Sequence, residues 1–133
     1  MSSLVNVKVF YGKGIRLSIK NRSFKEAMNL IWVSPAFSNY EPLKIVFPET
    51  GKILYANKQV FINYINGVYT LEELIQLTQC EELFRNKKDF HAPDGTIIDA
   101  GSLWKLENKI LYLIDDDNYY TTKYEISIFE IAE

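Results

Sequence analysis

The chain of 133 residues has one cysteine and one histidine. It also has no apolar run near the ~20 residues that a membrane helix needs. A lone thiol, Cys80, excludes an internal disulfide and any site built from several thiolates. His91 is the sole imidazole, so any Ser-His-Asp or Cys-His arrangement would have to use it, and the spacing expected of zinc ligands is missing. A basic excess is absent too. Fifteen lysines and arginines face 17 aspartates and glutamates, for a net charge of −2 with both signs interspersed. That balance argues against nucleic acid as a partner, and it is equally short of the dense acidic face that would imitate phosphate. Glycine is sparse. Gly12-Lys13-Gly14 is followed by a strand pattern rather than a helix, so it reads as a hairpin turn and not a phosphate cradle. The N-terminal stretch carries no signal-peptide pattern, and a cytoplasmic location is expected.

What remains is an ordinary globular composition, 47% apolar and 24% charged, with no repeat, linker or low-complexity segment. It predicts a single compact α+β domain over residues 1–133. The expected architecture is an antiparallel sheet of about six or seven strands built from hairpins, with two or three packed helices. Val5, Val7 and Val9 alternate with polar residues, as do Ile15, Leu17 and Ile19 beyond the glycine turn, which makes a hairpin with one wet face. Ser23-Phe24-Lys25-Glu26 is a capping box, and Ala27, Leu30 and Ile31 give the following helix its apolar side. Pro35 ends it, and Ser34–Pro42 is a loop carrying Phe37 and Tyr40 close to Trp32.

Strands are expected at Leu43–Phe47 and Lys52–Tyr55, then a helix over Lys58–Asn66 capped by Asn57. A second capping box, Thr70-Leu71-Glu72-Glu73, opens a helix expected to run Leu71–Phe84, with Cys80 in its middle. Lys88–Gly95 reads as a loop. Short strands follow at Thr96–Ile98 and at Leu103–Leu106. Lys109–Asp115 is apolar on both faces and belongs inside a sheet. The turn Asp116-Asp117-Asn118 then leads to a strand over Tyr120–Ile131, with Tyr124, Ile126 and Ile128 on one face.

Two groups of residues could carry chemistry. Pro93-Asp94 followed by Glu107-Asn108-Lys109 resembles the PD-(D/E)-x-K signature of a nuclease superfamily. The resemblance implies a Mg²⁺ held by Asp94 and Glu107, with Lys109 steadying the attacking water or the phosphate. It departs from that family in one respect: both segments read as turns. The other group is an acidic turn with tyrosines, Asp116, Asp117, Tyr119 and Tyr120, which follows a buried strand and so presents rings and charge on a firm support.

The expected function is non-enzymatic: an interaction protein that binds another protein, on a basic surface, and modulates it. No cofactor and no metal are expected. Partner contacts are expected at Asp116, Asp117, Tyr119 and Tyr120, with Phe37 and Tyr40 as the competing surface. Lysines outnumber arginines 12 to 3, a bias of AT-rich genomes. It suits a phage or mobile-element inhibitor of a host defence complex, of the anti-CRISPR kind, or a toxin-immunity protein. A homodimer through the Tyr124–Ile128 edge is also expected. The alternatives are the Mg²⁺-dependent nuclease and a small-ligand or nucleotide binder stacking a base on Trp32, Phe37 and Tyr40.

Overall fold

Alternation along the first strand sets the first sheet. In the computed structural model, which describes residues 4–12, 14–33 and 41–132, β1 (Leu4–Gly12) pairs antiparallel with β2 (Ile15–Ser23) and with β3 (Lys44–Phe47). β4 (Lys52–Tyr55) follows β3 across a turn closed by Gly51, whose φ of 72° an L side chain resists. The sheet order is β2-β1-β3-β4-β5, with β5 reduced to Gln79–Cys80. The register aligns Leu17, Val9, Ile45 and Leu54 in one cross-strand row. Val9, Ile45 and Leu54 are fully buried, and Leu17 packs against them. The neighbouring row, on the other face, is Arg16, Phe10, Lys44 and Tyr55. There the Arg16 guanidinium and the Lys44 ammonium lie 5.1 and 5.2 Å from the Phe10 ring centre, a cation–π arrangement.

Three helices among the described residues pack on this sheet. α1 (Phe24–Trp32) starts at Ser23, whose hydroxyl accepts from the Glu26 N–H. α2 (Lys58–Ile65) starts at Asn57 in the same way. α3 (Leu71–Thr78) carries the full reciprocal capping box of Thr70 and Glu73. Each cap satisfies helix donors that have no partner within the helix. Phe24, Ala27, Met28 and Ile31 of α1, Phe61 of α2 and Leu74 of α3 are buried with Val7, Val9, Ile19, Ile45 and Leu54 of the sheet.

The chain divides into two compact units, one ending at Gln79 and one spanning Cys80–Ala132. The second holds a five-stranded sheet in the order β11-β10-β9-β6-β12 and a two-stranded ribbon, β7-β8. Its strands are β6 (Glu82–Asn86), β7 (Phe90–His91), β8 (Ile97–Ile98), β9 (Leu103–Glu107), β10 (Ile110–Leu113), β11 (Tyr120–Thr121) and β12 (Phe129–Ile131). Trp104, Leu111, Leu113, Phe129 and Ile98 form its core. Phe90, Trp104 and Phe129 meet as a ring triad with centroids 5.1 to 6.0 Å apart. The structure is α+β as expected, but its described strands are shared among two five-stranded sheets and a two-stranded ribbon rather than gathered in one sheet.

Two long elements are shorter than the pattern implied. The helix expected over Leu71–Phe84 stops at Thr78, and Leu83 and Phe84 lie in β6. The Thr78 hydroxyl turns back to donate to the Leu74 carbonyl at 2.7 Å, and Gln79 is already extended. Pairing of Glu82–Arg85 with Leu103–Leu106 then outweighs the helix preference of Leu, Glu and Arg. Cys80 is therefore a buried strand residue and not a helical one.

The strand expected over Tyr120–Ile131 is broken in the middle. β11 and β12 occupy opposite edges of one sheet, with β10, β9 and β6 between them. Four strand spacings are ~19 Å, and residues 122–128 make the crossing. A turn helps: both Ile128 and Phe129 donate their N–H to the Glu125 carbonyl. Ile126, expected to share a strand face with Tyr124 and Ile128, is 85% exposed. β10 keeps its interior place, but it begins at Ile110, because Asn108 and Lys109 form the hairpin turn with φ of 50° and 66°. Part of the stretch read as the loop Lys88–Gly95 is a ribbon strand, Phe90–His91.

At the centre of the second unit sits a polar residue. Asn86 is 1% exposed. Its amide donates to the carbonyls of Lys88, Ile98 and Asp99, and its side-chain oxygen accepts from the Trp104 indole N–H at 3.3 Å. Asn86→Ala leaves the buried Ile98 carbonyl and Trp104 indole N–H without this partner, and removes the part-buried bonds to Lys88 and Asp99. Urea denaturation of that variant should show a loss of about 2–4 kcal/mol. Lys88→Ala, at an exposed neighbour, should change stability by less than about 0.5 kcal/mol. Equal stability of Asn86→Ala and the wild type would show that the network does not carry the fold.

Candidate functional site

The acidic turn is built by its own backbone. Asp116 accepts the Asn118 N–H on its carboxylate at 3.0 Å, and its carbonyl accepts from the Tyr119 N–H. The Leu113 N–H donates to the Tyr119 carbonyl, which ties the turn to the end of β10. Tyr120 pairs with Tyr112 across the sheet, the rings 6.1 Å apart, and remains 61% exposed. Tyr119 turns inward and packs partly against the core of the second unit. Asp116, Asp117, Tyr119 and Tyr120 are thus brought into one turn, with Asp117 exposed.

Tyr119 also reaches a residue that the sequence assigned to different chemistry. Its hydroxyl donates to Asp94 Oδ2 at 2.9 Å and lies 3.1 Å from Thr96 Oγ1. Asp94 sits in the turn between β7 and β8, where Asp94 Oδ1 accepts the Thr96 N–H at 2.9 Å. Phe90, Ala92, Pro93, Asp94, Asn118, Tyr119 and Tyr120 surround a pocket of about 360 Å³. No lysine, arginine or histidine lines it. Two aromatic side chains, a proline and a fixed carboxylate therefore converge with the exposed Tyr120 ring at one edge of the second unit.

The groups of the nuclease-like pattern are dispersed. Glu107 pairs with Ile110 at the turn end of the β9–β10 hairpin, whereas Tyr119, the partner of Asp94, is level with Leu113. Those positions on β10 are three residues apart, ~10 Å along the ladder. Lys109 is a turn residue beside Glu107. Among the described residues no three or more His, Cys, Asp or Glu side chains gather as metal ligands. His91 is exposed on the ribbon and Cys80 is buried. Phe37 and Tyr40 lie outside the described residues. Trp32, their expected companion in base stacking, stacks on Phe61 at 5.3 Å.

Sequence reasoning missed Phe90, Pro93 and Thr96 as companions of the tyrosines. The only available signal was the Asp94-Gly95 turn, which brings the start and end of a short ribbon together. It does not say which strand edge lies beside it.

The Asp94 carboxyl titrates below its ordinary value of 3.8, first because of the Thr96 N–H and then because of the Thr96 and Tyr119 hydroxyls. A depressed folded-state value means that these bonds stabilise fully above the unfolded value and are lost as the pH falls through the folded one. Tyr119→Phe removes one donor. Carboxyl-detected NMR titration should then place the Asp94 midpoint nearer 3.8 than in the wild type, with the Thr96 amide signal still following the same midpoint. An unmoved midpoint would show that the Tyr119 hydroxyl does not serve Asp94.

No helix among the described residues is long and apolar enough to cross a membrane. No family model matches the chain, and neither a curated protein nor a solved structure matches it.

Proposed function

We propose that the protein is a non-enzymatic interaction protein that binds and modulates another protein through the Asp94–Tyr119–Tyr120 edge of its second unit. The observation that carries this reading is the fixed carboxylate of Asp94 in an aromatic-lined pocket with no cation of its own. Asp94 Oδ1 accepts the Thr96 N–H and Oδ2 accepts the Tyr119 hydroxyl, while the residue stays exposed to an incoming donor. Phe90, Tyr119 and Tyr120 supply ring faces and edges beside it. This combination suits a guanidinium, which is planar, stacks on rings and binds carboxylates through its fork. A volume of about 360 Å³ matches one side chain better than a large metabolite.

The partner is therefore a protein that presents an arginine-bearing, basic segment. Asp116 and Asp117 add negative charge close by, which raises the encounter rate with such a surface. Inhibition of a host defence complex and immunity against a toxin both fit a small protein acting by occupancy, and gene neighbourhood separates them.

Affinity capture from the source cells, with mass spectrometry, should return one stoichiometric protein partner. Against that partner the double variant Asp117→Lys, Tyr120→Ala should lose at least about tenfold in affinity, on the order of 1.4 kcal/mol. Its thermal stability should stay within about 1 kcal/mol of the wild type, because both side chains are exposed. Unchanged affinity in the folded double variant would remove this surface. The competing enzymatic reading has its own measurement. Plasmid and RNA should remain intact in Mg²⁺, and cleavage that disappears in chelator and in Glu107→Ala would overturn the proposal.

A further inference from the structure

The first unit contains a larger and chemically different cavity. It opens between the start of β1, the β2–α1 junction, the β3–β4 turn, the end of α2 and the start of α3, with a volume of about 780 Å³. That is within the range of sites that hold small organic molecules. Phe24 and Phe47 stack at 5.8 Å with their planes 11° apart, and Tyr64 meets Phe24 edge-on at 5.5 Å. Val5, Leu71 and Ile75 add aliphatic surface. Both Phe24 and Tyr64 belong to or pack on the core of this unit, so the aromatic wall is held in place before any ligand arrives, which lowers the ordering cost of binding.

The polar part of the lining has one sign. Lys25 and Lys52 border the cleft together with the hydroxyl residues Ser23 and Thr50, and no aspartate or glutamate lines it. Ser23 Oγ accepts the Glu26 N–H and donates to the Glu26 carboxylate, and Thr50 Oγ1 accepts the Lys52 N–H. Both hydroxyl oxygens are thus engaged by the backbone, and the exposed ammonium groups of Lys25 and Lys52 have no carboxylate partner among the described residues. The Tyr64 hydroxyl has no hydrogen-bond partner there either. Burial raises its pKa above the ordinary 10.0, so it stays protonated and able to donate at neutral pH.

We infer that this cleft binds a small amphipathic carboxylate, a fatty-acid-like molecule whose chain lies against Phe24, Phe47, Leu71 and Ile75 and whose carboxylate meets Lys25 and Lys52. Charge complementarity selects the anion. The scarcity of free polar groups along the rest of the lining selects an apolar body over a nucleotide, whose base and sugar would need partners. The site is separate from the acidic edge of the second unit, and either can fail without the other.

The probe is decanoate, with decanol as its uncharged counterpart, titrated into the full chain at submillimolar concentrations. Calorimetry should give saturable decanoate binding, and amide NMR shifts should concentrate at Phe24, Phe47, Tyr64 and Leu71. Decanol should bind at least tenfold more weakly, and added salt should weaken decanoate binding in the wild type. The double variant Lys25→Glu, Lys52→Glu should lose at least tenfold in affinity for decanoate. Leu71→Trp, at an exposed position that fills the cleft, should block it. No saturable decanoate binding would overturn the inference, as would equal affinity for decanol with no salt dependence. A concentration-dependent doubling of mass that Leu71→Glu abolishes would assign the cleft to a second copy of the chain, and would also overturn it. The salt and decanol measurements need no variant, so a misfolded substitution does not remove the test.

Discussion

The second unit depends on one buried side-chain amide. Asn86 closes β6 and reaches three carbonyls from segments that have little regular structure of their own, at Lys88, Ile98 and Asp99. Gly101 adds a fourth link by donating its N–H to the Asn86 carbonyl. These groups flank the β7–β8 ribbon, which has only two residues in each strand and could not hold itself in water. Satisfying them in the interior avoids a cost of about 1–3 kcal/mol for each group left unpaired. The same amide fixes the Trp104 indole, and Trp104 orients Phe90 and Phe129. Core packing and ribbon placement are thus joined at one residue.

Ribbon placement decides where Asp94 stands. With the ribbon held by Asn86, the turn that carries Asp94 comes within reach of Tyr119, 25 residues later in the chain. The other half of the pocket comes from sheet order. Because β11 is an edge strand next to β10, Tyr120 keeps one side open to solvent while its backbone is paired with Tyr112. A rigid support and an exposed ring at the same position follow from a strand only two residues long.

These relations explain which parts of the sequence could be read. Wherever the signal is local, it was sufficient. Val7 and Val9 alternate with wet residues and form β1, and Ser23, Asn57 and Thr70 cap the helices that follow them. The acidic turn and its tyrosines were legible for the same reason, since Asp116 builds that turn with its immediate neighbours. Pairing between distant segments was not legible. Leu83 and Phe84 continue an apolar spacing that fits a helix, and only the presence of β9 makes them a strand. Tyr124, Ile126 and Ile128 alternate well enough for a strand, but the chain must leave one edge of the sheet and reach the other. Asn86 gave no local sign at all, because an asparagine beside charged residues usually marks an exposed turn.

The two candidate sites carry charge of opposite sign. A net charge of −2 describes the whole molecule and conceals a pocket walled by carboxylate and rings in one unit and a cleft bordered by two ammonium groups in the other. Interspersed charge in the sequence therefore argues less against specific electrostatic recognition than it does against a single extended basic face. In the second unit the carboxylate is pre-oriented by backbone and hydroxyl donors, so the cationic partner proposed for it would meet a group that needs no rearrangement. In the first, two exposed lysines border a cleft whose Phe24, Phe47 and Tyr64 rings are packed, so the charge and the apolar surface belong to different residues. For the proposed anion, that separation would make the contributions independent: changing a lysine would alter the response to charge without disturbing the aromatic wall, and filling the wall would leave the charge in place.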